Sequence, residues 1–226
     1  MILCLTATCA PLLEPDCLAR AVSLLPAWRQ EQVLSRSTPE HRATGAGAWL
    51  LLEQGAKQLH ISLPRTPPAY TKHGKPYFPE LPFFTFSLSH SKNRCLCLLG
   101  DTGEKLGCDL EQLRPRLPWK KLAQRFFHPQ EVTWLLGQQQ PEASFFRLWC
   151  EKEAVLKATG AGFSQGMQQF SLRGGSGKEF PFFRIGWILG EYAYCLCGET
   201  PPQKAPRQWA QEISLKDLVK ERKIPE

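Results

Sequence analysis

The residues best placed to do chemistry stand in WCEKEAVLK, Trp149 to Lys157. Turned about 100° per residue, Phe145, Leu148, Trp149, Val155 and Leu156 gather on one side of a helix. Lys152 falls in the middle of that side and Glu153 at its edge, and Lys157 follows Glu153 at i+4. An unpaired ammonium or carboxylate is costly to bury, so these groups require a metal ion, a phosphate or another side chain as partner. The alternative is a surface pair between Glu153 and Lys157, with Lys152 reaching out to water along its stem.

A second pair of carboxylates stands in KLGCDLE, 105 to 111. Strand alternation puts Leu106, Cys108 and Leu110 on the core face, so Asp109 and Glu111 share the opposite face two residues apart. Like charges that close require a cation between them. Magnesium fits, because it takes carboxylate oxygens and keeps places for phosphate and water; a solvated strand face near a sheet edge is the other reading. Three further features suit an anion. Arg42 lies near a helix start, where amides and a guanidinium could hold an anion together; a plain surface arginine is the other reading. Gly74, Lys75 and Pro76 form a tight turn with exposed amides. His90 stands between Ser89 and Ser91 at the end of the alternating run FTFSLSHS, as a phosphate contact or as a lone capping histidine.

Stepping along the chain, MILCLTATCAPLL lacks the basic n-region of a signal peptide and reads as a first strand. Asp16 to Leu34 is a helix broken at Pro26, and Pro39 to His60 is a second helix. Residues 62 to 82 form a loop rich in proline and glycine. The run at 94 to 99 is a strand that turns through GDTGE into a returning strand at 105 to 111. Arg114, Arg116, Lys120, Lys121 and Arg125, interleaved with Leu117, Trp119 and Leu122, form a docking face for an acidic partner. A helix starts at His128 and Pro129. The WCEKEAVLK helix begins near Glu142, after Pro141, and stops at Gly160 to Gly162. A strand near 168 to 173 and a GGSG turn follow. The strand YAYCLCG at 192 to 198 resembles RCLCLLG at 94 to 100, which suggests two similar α+β halves.

The chain has 226 residues, enough for one large domain or two smaller ones, and a formal charge of +7. That charge attracts phosphorylated small molecules, nucleic acid, anionic membrane or an acidic protein. Its nine cysteines include no zinc-like CxxC pair; they read as small buried hydrophobes in a reducing compartment, with both sulfurs of each CxC pair on one core face. No apolar run approaches the about 20 residues of a spanning helix.

In order, His41-Arg42, Gly74-Lys75-Pro76, Phe86-Ser87-Leu88-Ser89-His90-Ser91, Gly107-Cys108-Asp109-Leu110-Glu111 and Trp149-Cys150-Glu151-Lys152-Glu153, with Lys157 and Gly160, resemble the 4′-phosphopantetheinyl transferase superfamily in its longer, surfactin-synthetase-activating branch. The resemblance implies an α+β fold of two halves related by a pseudo-two-fold, each a small antiparallel sheet packed with helices. The halves would span 1–101 and 102–226, with a tail of unassigned role from about 203. It implies transfer of the phosphopantetheine arm of coenzyme A to a carrier-protein serine, releasing 3′,5′-ADP. Asp109, Glu111 and Glu153 would hold magnesium, Glu153 would also be the base, and Lys157 would contact the pyrophosphate with Lys152 nearby. Arg42 and His90 would contact coenzyme A phosphates, and Gly74, Lys75, Pro76 and Ser89 would border the adenosine. Related members often have lysines ahead of the conserved arginine; this chain reads AWRQEQVLSR there, leaving Arg29 and Arg36. Cys108 and Cys150 would point away from the chemistry. The implied partners are coenzyme A and an acidic acyl or peptidyl carrier protein, without nucleic acid or membrane, for a cytoplasmic monomer. A metal-dependent nuclease is a second reading of the same carboxylates and basic stretch, without the aromatic platform that single strands need. An inactive carrier-binding module is a third, opposed by the intact Asp109, Glu111, Glu153 and Lys157.

Overall fold

The computed structural model describes residues 1–160, 166–173, 182–201 and 210–224. The first apolar run forms β1 (Ile2–Thr8). Two short helices, α1 (Pro15–Ser23) and α2 (Ala27–Leu34), are separated at Pro26. The long helix α3 (Pro39–Gln58) starts at Thr38, whose hydroxyl accepts from His41 N, a side-chain N-cap. Within the 62–82 loop lies a small hairpin, β2 (Ala69–Tyr70) and β3 (Pro76–Tyr77). Then come β4 (Thr85–Ser91), β5 (Arg94–Gly100) and β6 (Leu106–Gln112). Three helices follow, α4 (Trp119–Phe126), α5 (Pro129–Leu136) and α6 (Pro141–Thr159). The chain continues with β7 (Phe183–Leu189), β8 (Tyr192–Gly198), β9 (Ala210–Glu212) and α7 (Leu215–Glu221).

The larger strands form two sheets, ordered β4-β5-β1-β9 and β6-β8-β7. In each, a first strand is followed by helices and then by a hairpin whose second strand lies in the middle: β5 pairs antiparallel with β4 and β1, and β8 with β7 and β6. The expected likeness of 94–100 to 192–198 therefore falls on the two central strands. Alternation divides their side chains among three cores. Cys95, Cys97 and Leu99 pack toward α3, and Ala193, Cys195 and Cys197 toward α6. Leu96, Leu98, Tyr194 and Leu196 meet between the sheets together with Leu106, Cys108 and Leu110 of β6. Both sulfurs of each CxC pair lie on one core face, as alternation requires, and all nine thiols are free.

Two expectations fail. The strand at 106–112 does not return along β5: both edges of β5 are already taken, by β4 and β1, so β6 crosses over and pairs with β8. Residues 168–173 are not a strand; a 3-10 turn at Met167–Gln169 leads into irregular chain. The Phe170 carbonyl and Leu172 amide there are bonded to buried charges, Lys152 and Glu131, instead of to a ladder. The GGSG turn lies outside the described residues. The tail returns to the first sheet, where β9 pairs parallel with β1 and Leu215 and Val219 of α7 enter the core around α3. Among the described residues no helix is long and apolar enough to cross a membrane.

Candidate active site

The two sheets meet where β4 runs beside β6. The strands are bridged by serines at every second position of β4. Ser87 Oγ accepts from Cys108 N at 3.0 Å, and Ser91 Oγ accepts from Gln112 N at 3.1 Å. Ser89 Oγ donates to Asp109 Oδ1 at 2.7 Å and Ser91 Oγ to Glu111 Oε2 at 2.9 Å. Sequence alternation placed Asp109 and Glu111 on one face; the structure puts that face under a helix and against β4, so Asp109 is buried and Glu111 only partly exposed. Asp109 Oδ2 is buried with no hydrogen-bond partner among the described residues.

The covering helix is α6, and Gly107 decides how close it comes. A Cβ there would overlap the Ala154 carbonyl oxygen and stand 2.5 Å from Ala158 N, so only glycine lets the helix backbone lie directly on the strand. The approach brings Lys157 Nζ to 2.8 Å from Asp109 Oδ1, 3.1 Å from the Cys108 carbonyl oxygen and 3.5 Å from that of Leu88. One ammonium thus spans both strands of the seam. Burial alone would lower its pKa, but Asp109 reverses this and holds it above the ordinary lysine value. One turn earlier, buried Glu153 is pushed up to about 7, by burial first and then by Asp109 and Glu111 against the pull of Lys157. Glu111 is raised for the same reasons, burial and then Asp109.

Glu153 and Lys157 form one wall of a cavity of about 270 Å³; Gly74, Lys75, Pro76 and Phe86 contribute to the others. The β2–β3 hairpin is pinned there by Lys75, whose ammonium donates to the carbonyls of Leu106 at 3.1 Å and Ala158 at 3.0 Å. Burial lowers its pKa to about 8. The Ala158 carbonyl belongs to the last turn of α6, where a cation is favoured. The helix stops at Gly160, in the left-handed region at φ 67°.

His90 and Ser91 line a second cavity of about 850 Å³ at the other end of β4, with His41, Gln112 and Arg114. Burial lowers the His90 pKa, and so do the charges of Arg36, Lys157, His41 and Arg29, a concentration of positive groups suited to an anion. Arg42 Nε donates to the Arg36 carbonyl at 2.8 Å, and Arg36 in turn to that of His41. Neither Arg42, Ser89 nor Lys152 is among the described residues lining the two cavities.

Lys152 is fully buried on the far side of α6. Its ammonium lies 2.6 Å from Glu131 Oε2 and 2.7 Å from the Phe170 carbonyl, over the Phe170 ring at 4.1 Å. Glu131 is thus a side-chain partner of the kind its burial required. The flanking Glu151 is paired with Arg173 at 2.5 Å. Cys150, expected to point away from the carboxylates, is near enough for Asp109, after burial itself, to push its thiol up, while the Cys108 thiol donates to the Ser87 carbonyl. Among the described residues, no three Asp, Glu, His or Cys side chains are gathered to hold a metal ion as they stand; Lys157 supplies the cation at Asp109. On α4, Lys120, Lys121 and Arg125 are exposed, whereas Trp119 and Leu122 are half-buried against the core around Phe145.

Glu131 and the role of Ser91 escaped sequence reasoning. The capping pattern at His128 to Glu131 was the available signal for the first, and the three-serine alternation of β4 for the second.

The sequence pattern that defines the 4′-phosphopantetheinyl transferase superfamily matches residues 105–203, which contain β6, α6 and the carboxylates. The 4′-phosphopantetheinyl transferase HetI of Nostoc sp. is 40% identical over 134 residues, 56% of this chain and 56% of that protein. Psf-1 of Bacillus pumilus, of the same description, is 39% identical over 103 residues, 45% of this chain and 42% of its own. The chain thus spans about half the length of these two relatives. AcpT of Salmonella typhimurium, another 4′-phosphopantetheinyl transferase, is 34% identical over 143 residues, 62% of this chain and 71% of that protein. With the glycine-seated helix, the seam carboxylates and these similarities in agreement, the chain belongs to the 4′-phosphopantetheinyl transferase superfamily.

Proposed function

We propose that this chain transfers the 4′-phosphopantetheine arm of coenzyme A to a serine of an apo acyl or peptidyl carrier protein, releasing 3′,5′-ADP. The observation that carries the reading is the placement of Glu153, buried one turn before Lys157 on the wall of the cavity lined by Gly74, Lys75 and Pro76, with Lys157 Nζ 2.8 Å from Asp109 Oδ1. A serine hydroxyl needs a base within hydrogen-bond reach. A Glu153 carboxylate oxygen takes the hydroxyl proton as the serine oxygen attacks the phosphorus that bears the pantetheine arm. The bond from that phosphorus to the ADP oxygen breaks, and 3′,5′-ADP leaves with its electrons.

Phosphoryl transfer asks chiefly for positioning and charge neutralisation. The carboxylates are not gathered into a metal site as they stand, but Asp109 Oδ2, without a hydrogen-bond partner among the described residues, and the repulsion that Asp109 and Glu111 exert on Glu153 suit a divalent cation, which Asp109, Glu111 and Glu153 would hold. Bound there, magnesium neutralises pyrophosphate oxygens. Lys157 offers the pyrophosphate a second positive charge. Gly74, Lys75 and Pro76 border the adenosine, and His90 and Arg42, with Arg29, Arg36 and His41 close by, receive the phosphates. The two strand-helix-hairpin units read as pseudo-two-fold halves with the reaction between them. The free thiols, eight of the nine buried, support a reducing, cytoplasmic compartment.

The test is incubation of the protein with coenzyme A, magnesium and a panel of apo carrier proteins, followed by intact-mass measurement. A gain of one phosphopantetheine on a carrier, with 3′,5′-ADP released, is expected. Tight coenzyme A binding with no mass gain on any carrier would overturn the reading.

A further inference from the structure

The seam serines are not equivalent. Ser87 engages the backbone amide of Cys108 and its neighbouring thiol, and touches neither carboxylate. Ser89 donates to Asp109, but that carboxylate is also held by Lys157. Among the described residues Glu111 has no second firm partner: its other neighbour, Arg114, stands at 3.8 Å with half its side chain in solvent, a weak contact. Ser91, at 2.9 Å, is the one described residue that hydrogen-bonds it.

We infer that Ser91 is a positioning residue that carries the geometry of the first sheet across the seam to the Glu111 carboxylate. Its place is itself determined from both sheets. Ser91 faces Arg94 across a turn at Lys92 and Asn93, with Lys92 at φ 52°. The Asn93 carbonyl accepts from Cys9 N at 2.6 Å, and Asn93 Oδ1 accepts from Tyr192 OH at 2.7 Å. The hydroxyl accepts from Gln112 N and donates its single proton to Glu111 Oε2. With donor and acceptor both engaged, the hydroxyl rotor has one orientation, and Glu111, a quarter exposed, is kept from swinging into solvent. The inference rests on the transfer reading above, in which Glu111 helps hold the divalent cation.

The experiment compares Ser91→Ala and Ser91→Thr with the parent by calorimetry of coenzyme A binding across a magnesium series, without carrier, and by thermal unfolding. Partners that orient a metal-holding group are worth about tenfold or more in metal affinity. Ser91→Ala should therefore raise the magnesium needed for half-maximal coenzyme A binding about tenfold, leave affinity at saturating magnesium nearly unchanged, and lower the melting temperature only slightly. Ser91→Thr, which keeps the hydroxyl, should restore the parent's midpoint. An unchanged midpoint in Ser91→Ala overturns the inference. So does a Thr variant as impaired as Ala, or a loss that magnesium cannot recover and that follows melting temperature. If the parent itself binds no coenzyme A at any magnesium concentration, the transfer reading falls, and this inference with it.

Discussion

Lys152 Nζ stands 2.6 Å from Glu131 Oε2, with both side chains wholly out of solvent. The second Glu131 oxygen accepts from Leu172 N at 2.7 Å, and Oε2 also accepts from His128 N at 3.1 Å. The pair therefore fastens α5, α6 and the chain at 170–172 together behind the face that bears Glu153 and Lys157. Removing one member of such a pair leaves a buried charge without compensation and costs about 3–5 kcal/mol. Lys152→Ala should lose that much in urea unfolding, and the double variant Glu131→Leu/Lys152→Met should recover a large part of it. Coenzyme A affinity of the folded protein should stay close to the parent's. If Lys152→Ala is as stable as the parent but binds coenzyme A poorly, the ammonium serves the cofactor and not the core.

Gly107→Ala tests the seating of α6 on β6. The added methyl meets helix backbone, at Ala154 and Ala158, which cannot rotate away as a side chain can. Overpacking of this kind costs about 1–3 kcal/mol, and more where backbone must move. The variant should fall at or above the top of that range, and the displaced helix should carry Glu153 and Lys157 away from Asp109, so that transfer drops well beyond the loss of folded protein. Parent-like stability and transfer would mean the helix is not seated as described.

Much of this arrangement was legible because strand and helix periods are strict. Alternation put Asp109 and Glu111 on one face and the paired cysteines on core faces, and the 3.6-residue period put Lys152 on the buried side of α6. Periodicity says which face a residue occupies, but not what lies opposite. It could not show that β6 leaves β5 for β8, because that depends on which strand edges remain open. Nor could it tell that Lys152 meets Glu131 while Lys157, five residues on, meets Asp109. The tail was opaque because β9 is three residues long and adopts its strand only by pairing with β1.

Glu153 should make stability depend on pH when divalent cations are chelated. Its folded pKa of about 7 lies above the ordinary 4.5, so between those values the folded chain holds a proton that the unfolded chain releases. Stability from this group is full below about pH 4.5 and is lost as pH rises through 7. At about 1.4 kcal/mol per unit, the whole effect is at most about 3 kcal/mol. Glu153→Gln, which cannot ionise, should gain on the parent by up to about 3 kcal/mol between pH 5 and pH 8 in chelator, measured by urea unfolding at each pH. The same variant should lose at least about a hundredfold in transfer, as removal of a general base does, with coenzyme A binding weakened only moderately. A pH-independent difference in stability, or transfer within tenfold of the parent, would take Glu153 out of the assigned role.

Lys120, Lys121 and Arg125 project from α4 into solvent, with Arg114 and Arg116 just before it, while Trp119, Leu122 and Phe126 hold the helix to the core. The basic face thus sits on a braced helix directly after the strand that bears Asp109 and Glu111. An acidic carrier is the partner this face would suit, and opposite charge raises association rate and fixes orientation more than it adds affinity. Exposed pairs are individually weak, about 1 kcal/mol or less, and are screened by salt. Reversing two of them, as Lys120→Glu with Lys121→Glu, should raise the apparent KM for the carrier severalfold, more at low ionic strength than at high. The KM for coenzyme A should stay nearly constant, because neither lysine lines the cavity that holds Glu153 and Lys157. Steady-state kinetics with each substrate varied in turn decide the matter. A rise confined to coenzyme A would assign α4 to the cofactor side, and no change in either constant at low salt would move the docking face elsewhere.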